Sequence, residues 1–190
     1  MFLLNDILIR KYLQDKLLGI TPFDERLLHP TWYYFRLGAY VNLWDSQEGT
    51  WNHVELEESG TTSAYVSPRG YALVRPLEYF SCSKNVLGMF SQASDLALSG
   101  LRLNHSLSID PGFEGVLEMG LENLLDKPAE LRHGDIIGKV IFFDISDTSP
   151  IHDIYSAPAR LAAEAFQRRR NMTFSEPFSS PRRVKLRLRG

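Results

Sequence analysis

The stretch HSLSIDPGFEGVLEMGLEN, His105 to Asn123, gathers the residues of this chain whose types and spacing fit chemistry best. Asp110 stands just ahead of Pro111 and Gly112, a turn in which local backbone groups hold a short carboxylate. The residues after the turn alternate. Leu117, Met119 and Leu121 fall on one face of an extended segment, and Val116, Glu118, Gly120 and Glu122 on the other, because successive side chains of a strand point to opposite sides. The first set reads as core and the second as a pocket wall or a solvated face. A fixed Asp at the mouth of a carboxylate-bearing strand is a candidate site; an Asp-Pro-Gly turn can also be only a turn.

Other chemistry-bearing groups are sparse. Cys82 is the single cysteine, which excludes an intrachain disulfide and fits a reducing compartment. With it stand five scattered His, from which no zinc constellation can be drawn, and the H-x-E with P-C-x-x-C pattern of zinc deaminases is absent. No window approaches the roughly eighteen apolar residues of a membrane span. MFLLNDILIRKYLQDK carries Asp6 and several basic residues within its apolar part, so it does not read as a secretory signal, and a cytoplasmic location is expected. The net charge of −2 conceals an asymmetry. Residues 158–190 hold nine Arg or Lys against two Glu, a net +7, which leaves −9 on residues 1–157. Such a tail docks on its own body, a neighbouring subunit or a phosphate, with nucleic acid the lesser alternative.

The elements that must position the candidate site can be placed by pattern. Residues 5–17 predict a helix, with Asn5 as N-cap, Leu8, Ile9, Tyr12, Leu13 and Leu17 on one face, and Gly19 as the stop. TWYYFRLGAYVNLW predicts a strand or strand pair around Gly38, and residues 46–65 a hairpin excursion. Short strands are expected at Tyr71–Val74, Val86–Phe90, Leu101–Leu103, Val116–Leu121 and Val140–Phe143. A second helix is expected at Ala159–Arg169, then an irregular segment and an edge-like VKLRLRG. Many short strands with a helix only at each end predict a mainly-β sandwich or barrel. One domain over 1–157 and a basic helix and arm over 158–190 suit the length of 190 residues.

The order of these features resembles the dCTP deaminase and trimeric dUTPase superfamily, and its deaminase branch more closely. LLHPTWYYFRLG is similar to that family's P-S-S-Y-D-L-R-L-G, SPRGYALVRPLEYF to its P-G-x-F-x-L-x-x-T-x-E-Y, SIDPGFEG to its I-D-P-G-[FW]-x-G, and RHGDIIGKVIFF to the strand ending in G-Q-L. The resemblance implies a distorted jelly-roll or β-barrel with an N-terminal helix, a C-terminal helix plus arm, and a homotrimer. It also implies three interfacial sites that take a pyrimidine deoxynucleotide, with Mg²⁺ entering only where a triphosphate binds and no resident cofactor. In that family a Glu on the strand after the turn activates water as general base, and the turn Asp lies by the sugar or, in dUTPases, activates water.

Carried over residue by residue, the site is depleted. Asp110 is retained, but the general-base position falls on Gly120. The phosphate motif R-S-S-x-x-R falls on Gln92 to Ala97, keeping Ser94, losing both arginines and gaining Asp95. Trp32 and Tyr34 replace a Ser and an Asp, and Lys139 replaces the Gln of G-Q-L. The resemblance leaves Asp110 as the retained catalytic position, with Ser94, His105, Asp110 and Lys139 as nucleotide-binding candidates and no metal ligands. Arg168, Arg169, Arg170, Arg182, Arg183, Lys185, Arg187 and Arg189 could clamp phosphates from the arm, or lie on an acidic neighbour. General-base help is worth ~10²–10⁴ in rate, and lost phosphate clamps remove further binding terms. The expectation is therefore a deaminase-like protein that binds a pyrimidine nucleotide or a protein partner without turnover. The alternative is an active deaminase or diphosphatase with a rearranged site, in which Glu118 or Glu122 supplies the base.

Overall fold

A computed structural model describes residues 1–60 and 62–147. The helix expected at Ala159–Arg169, the basic arm, the edge-like VKLRLRG and the boundary at 157/158 lie outside the described residues.

The chain opens with β1 (Phe2–Leu3), α1 (Asp6–Gln14), β2 (Leu18–Thr21) and a 3-10 turn at Glu25–Leu27. β3 (Tyr33–Asp45), β4 (Thr50–Glu55), β5 (Ser63–Val66), β6 (Tyr71–Pro76), β7 (Tyr79–Cys82) and β8 (Val86–Gln92) follow. After α2 (Ser94–Leu98) come β9 (Leu101–Asn104), β10 (Ser108–Ile109), β11 (Glu114–Gly115), β12 (Met119–Asn123), β13 (Ala129–Arg132) and β14 (Ile136–Asp144). Nine strands form one antiparallel sheet in the order β10-β8-β14-β3-β6-β12-β9, with β1 on β14 and β4 on β3. The mainly-β expectation holds.

Local sequence explains most boundaries. Asn5 Oδ1 accepts from the Leu8 N–H at 2.9 Å, satisfying one of the orphan donors at the start of α1. The helix stops at Gln14 instead of running to residue 17. Asp15 closes it and Lys16 turns into the left-handed region at φ 58°. Gly19 is not its stop but part of β2, because Leu18 and Ile20 bury their side chains by pairing in extended form with Cys82 and Phe80. β12 begins at Met119 and not at Val116, since Glu114 and Gly115 pair with β7 instead. β3 is one long strand that changes partners near Gly38, pairing with β14 before it and with β6 and β4 after it. The short α2 between β8 and β9 corrects the expectation of a helix only at each end.

Tyr33, Phe35, Phe80, Phe142, Leu4 and Ile9 are among the fully buried side chains of the core. Cys82 lies there too, its thiol pushed up to about 12 by burial. Among the described residues Asn42, Glu78, Asn123 and Asp144 are buried polar side chains, and two of them tie distant segments together. Glu78 is fully buried, and its carboxylate accepts from Arg36 Nε at 2.7 Å and from the Arg36 backbone N–H at 2.8 Å, tying β3 to the turn before β7. Asn123, 1% exposed, donates from Nδ2 to the carbonyls of Val66, Ser67 and Lys127 at 2.8–3.1 Å and accepts from the Leu125 N–H at 3.0 Å. The curl of the sheet brings β9 back toward β8. That seam is bridged by a side chain: Gln92 Oε1 accepts from the Leu103 N–H at 2.9 Å.

Candidate functional site

The Asp110 turn forms as its sequence implies. Gly112 takes φ +80°, the Phe113 N–H donates to the Asp110 carbonyl at 3.0 Å, and Ser108 Oγ donates to Asp110 Oδ1 at 2.9 Å. The carboxylate is exposed, so the turn presents an acceptor to solvent.

The face of β12 that carries Gly120 and Glu122, with Glu118 just before the strand, is not an open row of carboxylates. Glu118 binds Arg75 Nη2 at 2.5 Å, and the Arg75 guanidinium in turn lies 4.1 Å from the Tyr40 ring centre. The Tyr40 hydroxyl accepts from buried Asn42, whose Oδ1 is 3.0 Å from His53 Nδ1. Glu122 is ion-paired with Arg102 on β9. Between them Gly120 is buried, and its hollow is filled. A Cβ built there would stand 1.8 Å from Tyr71 Oη and 2.5 Å from Tyr71 Cζ. Tyr71 reaches across from β6, the Trp51 ring lies 6.3 Å away, and Asn104, directly opposite Gly120 on β9, hydrogen-bonds the phenol. Burial raises the pKa of this phenol, the Glu122 charge adds to the rise, and Asn104 opposes it. Tyr71 is therefore a neutral hydroxyl at physiological pH, not a base.

Ser94 is exposed at the first residue of α2. Gln92 turns its amide to the β9 seam, and Ala97 offers no charge. Lys139 Nζ lies 5.5 Å from the centre of the Trp32 ring. Trp32 stacks on His29 at 5.0 Å, and Tyr34 packs edge-on to His29 at 4.9 Å, so the bulky replacements form an aromatic cluster. His105 packs on Phe90 at 4.5 Å and contacts the Ser106 carbonyl through Nδ1.

Strand register decides which candidates meet. Gln92 joins β8 to β9 and so brings Ser94 toward the Asn104–Gly120 row. Ile109, just before Asp110, faces Gly88, whereas Ser94 follows Gln92 at the other end of β8. Four residues of strand separate those points, ~13 Å at 3.3 Å per residue, so one chain does not unite Asp110 with Ser94. Tyr71, Asn104, Arg75 and Arg102 escaped the sequence reading. Their signal was cross-strand complementarity, a large ring against a glycine and two Arg–Glu pairs, which only a known register exposes. Among the described residues no three His, Cys, Asp or Glu gather as metal ligands, and no helix is long and apolar enough to cross a membrane.

The curled, mainly-β sheet, with an acidic Pro-Gly turn at one end of β8, is a dUTPase-like scaffold. The fold of the 2'-deoxycytidine 5'-triphosphate deaminase from Agrobacterium tumefaciens superposes with a TM-score of 0.61 at 15% identity, covering 74% of this chain and 47% of that one. Residues 3–145 match the family described as dCTP deaminase-like, and the chain belongs to it. It is 33% identical over 187 residues to "dCTP deaminase, dUMP-forming" of Tropheryma whipplei, covering 91% of each chain. It is 30% identical over 146 residues to "dCTP deaminase" of Pyrococcus horikoshii, covering 75% of this chain and 86% of that one.

Proposed function

We propose that this dCTP deaminase-like chain acts by binding and does not deaminate dCTP or hydrolyse dUTP. One observation carries the reading: among the described residues, the carboxylates that flank the Gly120 hollow are both ion-paired. Glu118 is committed to Arg75 and Glu122 to Arg102. A general base must reach the proton it removes, and each of these carboxylates stands one pleat away, ~7 Å along the strand. The lack of Arg at Gln92 and Ala97 points the same way, since it withdraws the charge that would hold a polyphosphate.

A cytoplasmic homotrimer is part of the same proposal. The outer face of β8, β14 and β1 carries Leu87, Met89, Ile141, Phe143 and Leu3, all incompletely buried, a face that further copies of the chain would cover. A pyrimidine deoxynucleotide remains the favoured small ligand because Asp110 is exposed and oriented by Ser108, as a sugar-binding acceptor would be. Mg²⁺ would enter with a triphosphate and not as a resident ion.

The test is incubation of the full chain with dCTP and with dUTP plus Mg²⁺, with product analysis and melting temperatures read on the same samples. No dUTP, dUMP or pyrophosphate is expected above the no-protein control. Turnover would overturn the proposal and return Glu118 or Glu122 to the role of base. A ligand at 100 times its Kd stabilises by about 2.7 kcal/mol. A rise of several degrees with one nucleotide would therefore name the ligand, whereas no rise would assign the binding role to a protein partner.

A further inference from the structure

The Gly120 hollow could be empty in a protein whose glycine merely removed a carboxylate. It is not. The Tyr71 phenol stands so near that the first atom of any side chain at 120 would meet Oη at 1.8 Å and Cε2 at 3.1 Å. Real Cβ atoms do not approach other heavy atoms within 3.0 Å, so either the ring must move or the residue must remain glycine. Moving the ring is costly here. Trp51 borders it, Asn104 hydrogen-bonds its hydroxyl, and its neighbours on β6, Ala72 and Val74, are locked in the core. The glycine is not required by its backbone, because Gly120 sits in a regular ladder between Leu73 and Asn104 and is absent from the positive-φ glycines. Steric complementarity to Tyr71 is the constraint.

We propose that Tyr71 is the closing residue of the old site. Its phenol occupies the space in which any side chain at 120 would begin, and Tyr71 and Gly120 form an interdependent pair. This rests on the reading of Gly120 as the vacated base position. It goes beyond that reading in assigning the closure to a particular side chain. A carboxylate cannot be restored by a change at 120 alone. The hollow must first be cleared at 71, after which the β6, β9 and β12 ladders can carry the new side chain without rearrangement. Tyr71 thereby determines which groups the site accepts: a neutral donor-acceptor hydroxyl paired with an amide replaces an anion.

The experiment compares melting temperatures of four full-length proteins: wild type, Gly120→Glu, Tyr71→Ala and Tyr71→Ala/Gly120→Glu. Gly120→Glu alone is expected to melt about 5–10 °C below wild type, or not to fold. The double variant is expected to fold and to melt within about 3 °C of Tyr71→Ala, so the two changes are strongly non-additive. Gly120→Ala, in the presence and absence of Tyr71, repeats the comparison without a charge. If Gly120→Glu is tolerated beside Tyr71, or the double variant loses the sum of both single losses, the closing role is overturned. Melting does not depend on turnover, so this outcome is separable from dCTP deamination by the wild type, which would instead sink the proposed function.

Discussion

Arg36→Ala is expected to destabilise the protein by about 3–5 kcal/mol, the range for stripping one partner from a buried ion pair, with a fall in Tm on the order of 10 °C. The reason is the position of Glu78. Its carboxylate is fully buried, and Arg36 supplies both the nearest guanidinium and a backbone donor. Burial already raises the Glu78 pKa above the ordinary carboxylate value even with Arg36 opposing it. Alanine at 36 keeps the backbone N–H but removes the opposing charge, so the rise increases. The sign follows from proton linkage. A carboxyl whose folded pKa is raised binds its proton more readily when folded, so the penalty of ionising it is absent below the unfolded pKa and grows as pH rises through the folded one. The deficit of Arg36→Ala relative to wild type should therefore shrink as pH falls through the raised folded pKa toward the ordinary carboxylate range. Chemical denaturation at pH 4.5 and at pH 7.5 would show this. An equal deficit at both values would mean that the loss comes from packing and not from the stranded charge.

Asn123→Asp should be more damaging than Asn123→Ala, the reverse of what an exposed site would show. Asn123 Nδ2 donates to three backbone carbonyls and Oδ1 receives the Leu125 N–H, so one side chain satisfies the ends of β5 and β12 and the turn between them and β13. Each buried polar group left without a partner costs about 1–3 kcal/mol. Alanine leaves several such groups, for a total of about 3 kcal/mol or more. Aspartate also loses the donors and aims a charge at Val66, Ser67 and Lys127 carbonyl oxygens 2.8–3.1 Å away, so it must protonate or expel the loop. Urea melts of the two variants provide the measurement. A less severe effect for aspartate would show that water enters this site.

The sequence exposes what depends on neighbours along the chain and hides what depends on partners across it. The Asn5 cap, the Asp110 turn and the burial of Leu117, Met119 and Leu121 were all legible, because each follows from local bonding or period-two alternation. The expected end of α1 at residue 17 differs from the observed end at Gln14 because Leu17 continues the apolar spacing of Leu13, whereas pairing of Leu18–Thr21 with β7 requires the chain to leave the helix first, through Lys16 at φ 58°. The glycine at the position that the resemblance gives to a general base could be read by counting from Asp110. The occupant of its hollow could not, because Tyr71 lies on another strand and register is a tertiary fact. The same holds for Glu118 and Glu122. Without Arg75 and Arg102 in view, both read as candidates for a general base.

Cys82 gives the protein an internal clock. Its sulfur is the only thiol in the chain, its side chain is 4% exposed, and burial places its ionisation near pH 12. Thiolate is the species that reacts with disulfide and alkylating reagents, so the native molecule is nearly inert toward them. Reaction must wait for β2 or β11 to leave the β7 strand between them. Mass gain after brief exposure to a thiol reagent therefore counts departures of those strands, one molecule at a time, with no added label.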